Sequence, residues 1–213
     1  MMAAKAKARA RRPARRQRSD GARSRSAILD EAARLATVEG IGGLSLGRLA
    51  DEVGMSKSGL FAHFGSKEEL QLATIETANA IFAEQVLEPA ARAASGLDRL
   101  HALLDGYLRY VEAGTFPGGC FFASVLVEVS MQPGAVRDRL VAFLEDWLGR
   151  LEGAVREAQR QGEIDKREDP AQLAFELESS LLLANTQFAV ARSREPIKRA
   201  RRAIERRLKE AAA

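Results

Sequence analysis

The chain has 213 residues, 46% hydrophobic and 29% charged, enough for one large helical domain or for a small domain beside a larger one. No apolar run approaches bilayer-spanning length, which argues for a soluble protein, and the single cysteine, Cys120, excludes an internal disulfide framework and fits a reducing cytoplasm. The net charge of +4 is unevenly held: residues 1–25 carry ten Lys or Arg against Asp20, a net of +9, which leaves −5 on the rest.

That charge makes residues 1–23 a basic, disordered tail by composition. As a transit peptide the tail lacks an apolar amphipathic stripe. Two readings stay open, a solubilising extension and an arm that follows DNA phosphates or enters a minor groove. Beyond the tail, Ala, Leu, Glu and Arg dominate and no alternating strand pattern persists, so the composition predicts an all-α fold.

Ser24 or Ser26 is placed to cap a first helix with Ile28, Leu29, Ala32, Leu35 and Ala36 on one face, ending at Glu39-Gly40. Ser45 caps the next. Leu46, Leu49, Ala50 and Val53 recur at i, i+3, i+4 and i+7, the apolar face of a short helix that Gly54 ends. Ser56 then caps a third helix whose apolar pair is Leu60 and Phe64. Two short helices around a Gly-containing turn outline a helix-turn-helix, and the second of them enters the DNA major groove in such units. Lys57, Ser58, Gly59, Ala62 and His63 are left over on that helix, small or polar and suited to a polyanion.

The ordered string Leu49-Ala50, Val53-Gly54-Met55-Ser56, Leu60-Phe61, His63-Phe64 and Ser66-Lys67-Glu68-Glu69-Leu70 closely resembles the DNA-binding domain of the TetR family of bacterial transcriptional regulators. The resemblance covers residues 24–72, about a quarter of the chain. It implies a three-helix DNA-binding unit followed by a larger helical domain over 73–213 for effector binding and dimerisation, about nine helices in all. It departs from the family at two positions. Phe61 stands where Tyr is usual and loses a phosphate donor, and Ala62 stands where a larger side chain is common. Side-chain donors to phosphate are expected from Ser45, Lys57, His63 and Lys67, Phe61 keeps a ring on the DNA-facing side without a donor, and base readout is expected from Lys57, Ser58 and Gly59.

Farther along, Ser66-Lys67-Glu68-Glu69 has the form of a capping box that starts a long helix reaching about Glu88, before Pro89. Ser95-Gly96-Leu97-Asp98 starts another, interrupted at Phe116-Pro117-Gly118-Gly119. Residues 120–131 read as an apolar helix ended by Gln132-Pro133-Gly134. A long amphipathic helix follows through Val155, Asp169-Pro170 opens the next, and the last begins near Pro196.

In this region TetR-like regulators carry an effector pocket, and the resemblance assigns to it Tyr107, Phe116, Cys120, Phe122, Ser124, Trp147 and Phe175. An ordinary aromatic core is the alternative for each taken singly. Asn185 and Gln187 are candidates for pocket polarity or for hydrogen bonds between helices at a subunit interface. The last two helices resemble the pair that forms a four-helix dimer interface, with Leu173, Leu177, Ser180, Leu181, Ala184 and Ile204 as the expected face. Cys120 near a helix start is open to a second reading as a thiol sensor. Glu128, Glu163 and Asp165 read as ordinary charged positions. Two histidines and one cysteine build no Cys/His zinc site, no cofactor is implied, and no nucleophile pairs with a histidine, which argues against an enzyme. The implied function is a cytoplasmic, ligand-responsive repressor that binds a palindromic operator as a homodimer. The rival class is a non-specific nucleic-acid-binding protein driven by the tail.

Overall fold

The computed structural model describes residues 14–129 and 133–213, with side chains described over 24–128 and 133–213. Within them the chain is helical: α1 (Ala14–Glu39), α2 (Leu46–Glu52), α3 (Lys57–Phe64), α4 (Lys67–Phe82), α5 (Gly96–Glu112), α6 (Phe121–Val129), α7 (Ala135–Arg160), α8 (Pro170–Ala191) and α9 (Glu195–Glu210). From α4 the chain continues through a π-helical stretch, Ala83–Leu87, to a last turn at Glu88–Ala90, so Pro89 sits inside the final turn and the helix ends just after it. No strand forms among the described residues, only an isolated bridge between Ile164 and Ala212. No described helix is long and apolar enough to cross a membrane.

Short-range chemistry sets the helix starts. Ser45, Ser56, Ser66 and Ser95 accept from the backbone N–H three residues on, at 3.1–3.2 Å, and Asp169 accepts from Ala171 N at 2.9 Å. The box at Ser66 is half made: its own N–H donates to the Phe64 carbonyl at 2.7 Å, so no return bond from Glu69 is needed there. The first helix begins ten residues or more before the expected caps. Ala, Arg and Gln at 14–18 are good helix formers, and α1 takes in part of the stretch read as tail. Residues 1–13, and with them most of the expected arm, lie outside the described residues.

Two cores divide the chain. The smaller gathers Ile28, Leu29, Ala32, Leu35, Leu44, Leu49, Ala50, Leu60, Phe64 and Leu70 from α1 to α4. The larger holds the apolar faces of α5 to α9. Helices α1 and α4 serve both: Ala33 and Ala36, then Ile75, Ala78 and Phe82, belong to the larger core. The expected boundary after residue 72 therefore falls inside one unbroken helix. Helices α5 and α7 come close at Gly96, where an added Cβ would lie 2.1 Å from Ala158 N. Gln161 Oε1 and Glu163 Oε2 accept from Gly96 N and Leu97 N there, so Glu163 helps cap α5 instead of standing free.

Candidate nucleic-acid interface and effector cavity

Helix α3 turns Leu60 and Phe64 into the small core and leaves Lys57, Ser58, Phe61 and Ala62 exposed on one side, with Gly59 and His63 half-buried at its edges. The guanidinium of Arg25 lies 4.3 Å from the centre of the Phe64 ring and donates to the His63 carbonyl, near the carbonyl end of α3. Sequence patterning missed Arg25, because its charge reads as part of the tail.

The expected DNA contacts divide in two. Lys57, Ser58 and Phe61 share the exposed side of α3, and the Phe61 ring is 54% exposed. Ser45 is occupied as the cap of α2, and the Lys67 ammonium donates to the Gly42 carbonyl, so both also hold the unit together. Gly59 has a local cause as well. A Cβ there would sit 3.0 Å from Ser56 Oγ, the atom that caps α3.

The loop between α1 and α2 is tied from outside the unit. Both oxygens of Glu128, near the end of α6, accept from backbone N–H groups, Ile41 at 2.8 Å and Gly42 at 2.7 Å. Gln71 from α4 donates to the Ile41 carbonyl at 2.7 Å. A Cβ at Gly42 would meet Glu128 Oε1 at 2.3 Å, so the glycine admits the carboxylate. Glu128 is thus not an ordinary charged position.

The opposite stretch of α6 lines a cavity of about 100 Å³ in the larger core. Phe82, Tyr107, Phe122, Phe143 and Trp147 wall it, with Cys120 and Glu178, and Leu126, Leu144 and Leu182 stand where it nears the surface. Phe82 meets Tyr107, Phe122, Phe143 and Trp147 edge-on, with centroids 5.3–6.3 Å apart, the arrangement aromatic quadrupoles prefer. Phe122 and Phe143 instead stack face to face. Two larger concavities, one along α5 and α9 and one along α5 and α7, are open grooves flanked by Arg and Glu or Asp side chains.

Three polar groups face this apolar space. Trp147 Nε1 donates to Glu178 Oε2 at 2.6 Å, and burial pushes the Glu178 carboxyl up to about 7 against the pull of that bond. Tyr107 Oη is buried beside the Cys120 thiol and makes no well-aligned hydrogen bond among the described residues. Burial pushes the Cys120 thiol up to about 11, which keeps it protonated and works against the thiol-sensor reading despite its place before α6.

Of the residues expected in a pocket, Tyr107, Cys120, Phe122 and Trp147 meet at this cavity. Phe116 packs behind it against Tyr110 and Phe121. Ser124 spends its hydroxyl on the Gly118 and Cys120 carbonyls. Phe175 lies on the outer side of α8, 65% exposed, and does not line this cavity. The expected dimer face needs correcting too. Leu173, Leu177, Leu181 and Ala184, and Ile204 on α9, are 5% exposed or less within one chain, because they form its own core. Ser180 remains beside a groove between α8 and α9. The side of α8 left outward carries Phe175, Leu182, Leu183 and Val190. Asn185 is also intramolecular: its Oδ1 accepts from Cys120 N at 2.7 Å, whereas Gln187 is exposed at that groove.

Residues 28–74 match the family model described as bacterial regulatory proteins, tetR family, and residues 96–204 match that of the tetracyclin repressor-like C-terminal domain. No curated protein matches the chain. Among solved structures, a TetR transcriptional regulator from Chloroflexus aurantiacus superposes with a TM-score of 0.83 at 24% identity, over 91% of this chain and 98% of its own. SCO4454 from Streptomyces coelicolor gives 0.76 at 18%, over 90% and 96%. AibR, solved in complex with isovaleryl coenzyme A and operator DNA, gives 0.68 at 27% identity, over 85% and 97%.

Proposed function

The chain belongs to the tetR family of bacterial regulatory proteins, and from that premise we propose that it is a homodimeric repressor that reads a palindromic operator and is released by a small effector held at the Trp147 cavity. DNA-reading falls to the exposed side of α3: Lys57 and Ser58 reach base edges, while Phe61 packs on sugar or on a thymine methyl in place of a phosphate donor. His63 and Lys67 flank this side and contact phosphate.

The observation that carries the ligand-responsive part is the pair of hydrogen bonds that the Glu128 carboxylate accepts from the Ile41 and Gly42 amides. One short helix, α6, carries Phe122 and Leu126 at the cavity and Glu128 on the loop that enters the helix-turn-helix. An occupant that displaces Phe122 or Leu126 moves Glu128 with them, since α6 is only nine residues long. Helix α4 is fastened on both sides, through Gln71 to that loop and through Glu76 to Arg139 of α7. An effector that prefers the displaced arrangement then shifts the dimer away from the spacing DNA requires. AibR, which holds both a ligand and operator DNA, supports reading the two sites together.

The test is selection of DNA from a random pool by the full-length protein, followed by Lys57→Ala. A selected sequence with two-fold symmetry is expected, with half-sites about one helical turn apart or a modest multiple. Lys57→Ala should weaken that sequence at least tenfold, about 1.4 kcal/mol, and random DNA much less. Equal losses on both would make Lys57 a phosphate contact, and an unselected pool would end the operator reading.

A further inference from the structure

We propose that the Trp147 cavity takes a small primary alkylammonium ion, with its charge paired to Glu178 and its alkyl chain against the aromatic walls. This deepens the reading of the cavity as an effector site and rests on it. The walls offer five rings within one space, and a ring face attracts a desolvated cation. A neutral apolar occupant would need neither a carboxyl there nor a buried hydroxyl without a well-aligned bond.

The polar inventory selects the charge. Glu178 is 7% exposed, and its one hydrogen bond among the described residues, from Trp147, uses a single oxygen. The titratable groups around it are Tyr107 from α5 and Cys120 at the start of α6, and both stay neutral at pH 7 because burial raises them. Among the described residues no Lys or Arg lines the space, so none of them neutralises the carboxylate there. A buried carboxylate without a counter-charge is costly, and the group protonates instead. An ammonium supplies the counter-charge, and its remaining N–H groups fit the Tyr107 hydroxyl as acceptor. The same carboxylate repels an anionic ligand.

Size and protons set the rest. A space of about 100 Å³ is smaller than a cavity that holds benzene, leaving room for about five heavy atoms. Binding to the neutral form exchanges one proton for one ammonium: the Glu178 carboxyl gives its proton to solvent, and the carboxylate left behind pairs with the incoming cation. The amine stays protonated to about pH 10, so the proton released comes from Glu178. Affinity therefore rises between about pH 6 and 8 as the carboxyl ionises.

Trp147 is the chain's single tryptophan, so its fluorescence reports on this cavity alone. The probes are n-butylamine and 1-butanol, of equal length, titrated into the full-length protein at pH 8. The amine is expected to bind saturably and at least tenfold tighter than the alcohol. Calorimetry at pH 7 in two buffers of different ionisation enthalpy should show a fraction of a proton released per amine. Glu178→Gln, which keeps an oxygen for Trp147, should bring the two probes within about twofold. Tyr107→Phe, a separate variant should the first fail to fold, should weaken the amine several-fold. An alcohol that binds as well as the amine, an amine preference that survives Glu178→Gln, or no saturable change with either probe overturns the proposal. The selected operator is assayed in parallel: specific DNA binding without amine binding rejects only the ligand class, whereas loss of specific DNA binding rejects the regulator reading itself.

Discussion

At the scale of one residue, Glu178 shows burial acting on stability as well as on ligand choice. Its carboxyl titrates near 7 in the folded chain, above the ordinary glutamate value of the unfolded one. A raised acid stabilises the fold fully below the unfolded value, and that contribution is lost as pH rises through the folded one. The folded protein is therefore penalised from about pH 4.5 upward, with the full penalty reached above about pH 7. For a shift of this size the penalty approaches about 3 kcal/mol. Glu178→Gln removes the ionisation and keeps the acceptor for Trp147. The variant should match the wild type near pH 4.5 and exceed it by about 2–3 kcal/mol at pH 8, read by urea unfolding at both values. A stability gap that is the same at both pH values would mean that the carboxyl does not titrate where its burial places it.

At the scale of an element, the helix starts after α1 were legible and the partners of the apolar faces were not, for one reason. A cap is decided within three residues, so Ser45, Ser56, Ser66, Ser95 and Asp169 could be read directly. Helix α8 is apolar nearly all round. Periodicity marks Leu173, Leu177 and Leu181 as a stripe, but does not say whether that stripe meets its own chain or a second copy. Gly96 and Glu128 were hidden in the same way, because their partners, Ala158 N and the Ile41 and Gly42 amides, are distant in sequence. Through the partners of Glu128, α6 would carry the proposed coupling, and the link can be cut at one atom. Glu128→Gln keeps one acceptor and replaces the other oxygen by a donor that cannot face an N–H. The amides of Ile41 and Gly42 should then exchange hydrogen at least tenfold faster, while the capped amide of Gly59 is unchanged. Equal protection in both proteins would show that Glu128 does not hold the loop.

At the scale of the whole molecule, the surface that α8 and α9 leave open is the face on which the proposed homodimer would pair. Phe175, Leu182, Leu183 and Val190 project from a helix whose inner face is already filled, and Ser180, Ala203 and Gln187 border the groove beside them. An apolar stripe of this kind on one long helix fits an isologous interface, in which the same patch from a second copy covers it. Leu182 also stands at the cavity, so a second copy seated there would close the space around Trp147 and couple dimerisation to effector binding. In the proposed dimer, two reading heads would share an operator through effective concentration, each half-site binding weakly and the pair tightly. Leu183 is 58% exposed within one chain, so its replacement disturbs that chain's own core little. Leu183→Glu places a charge inside the paired surface and should weaken dimerisation by at least about 2 kcal/mol, some thirtyfold, measured by sedimentation equilibrium. The monomer should keep its thermal stability and its affinity for a single half-site, and lose most of its affinity for the palindrome. A Leu183→Glu protein that stays dimeric at unchanged affinity would move the interface to another face. One that turns monomeric yet holds the palindrome as tightly would remove dimerisation from DNA recognition.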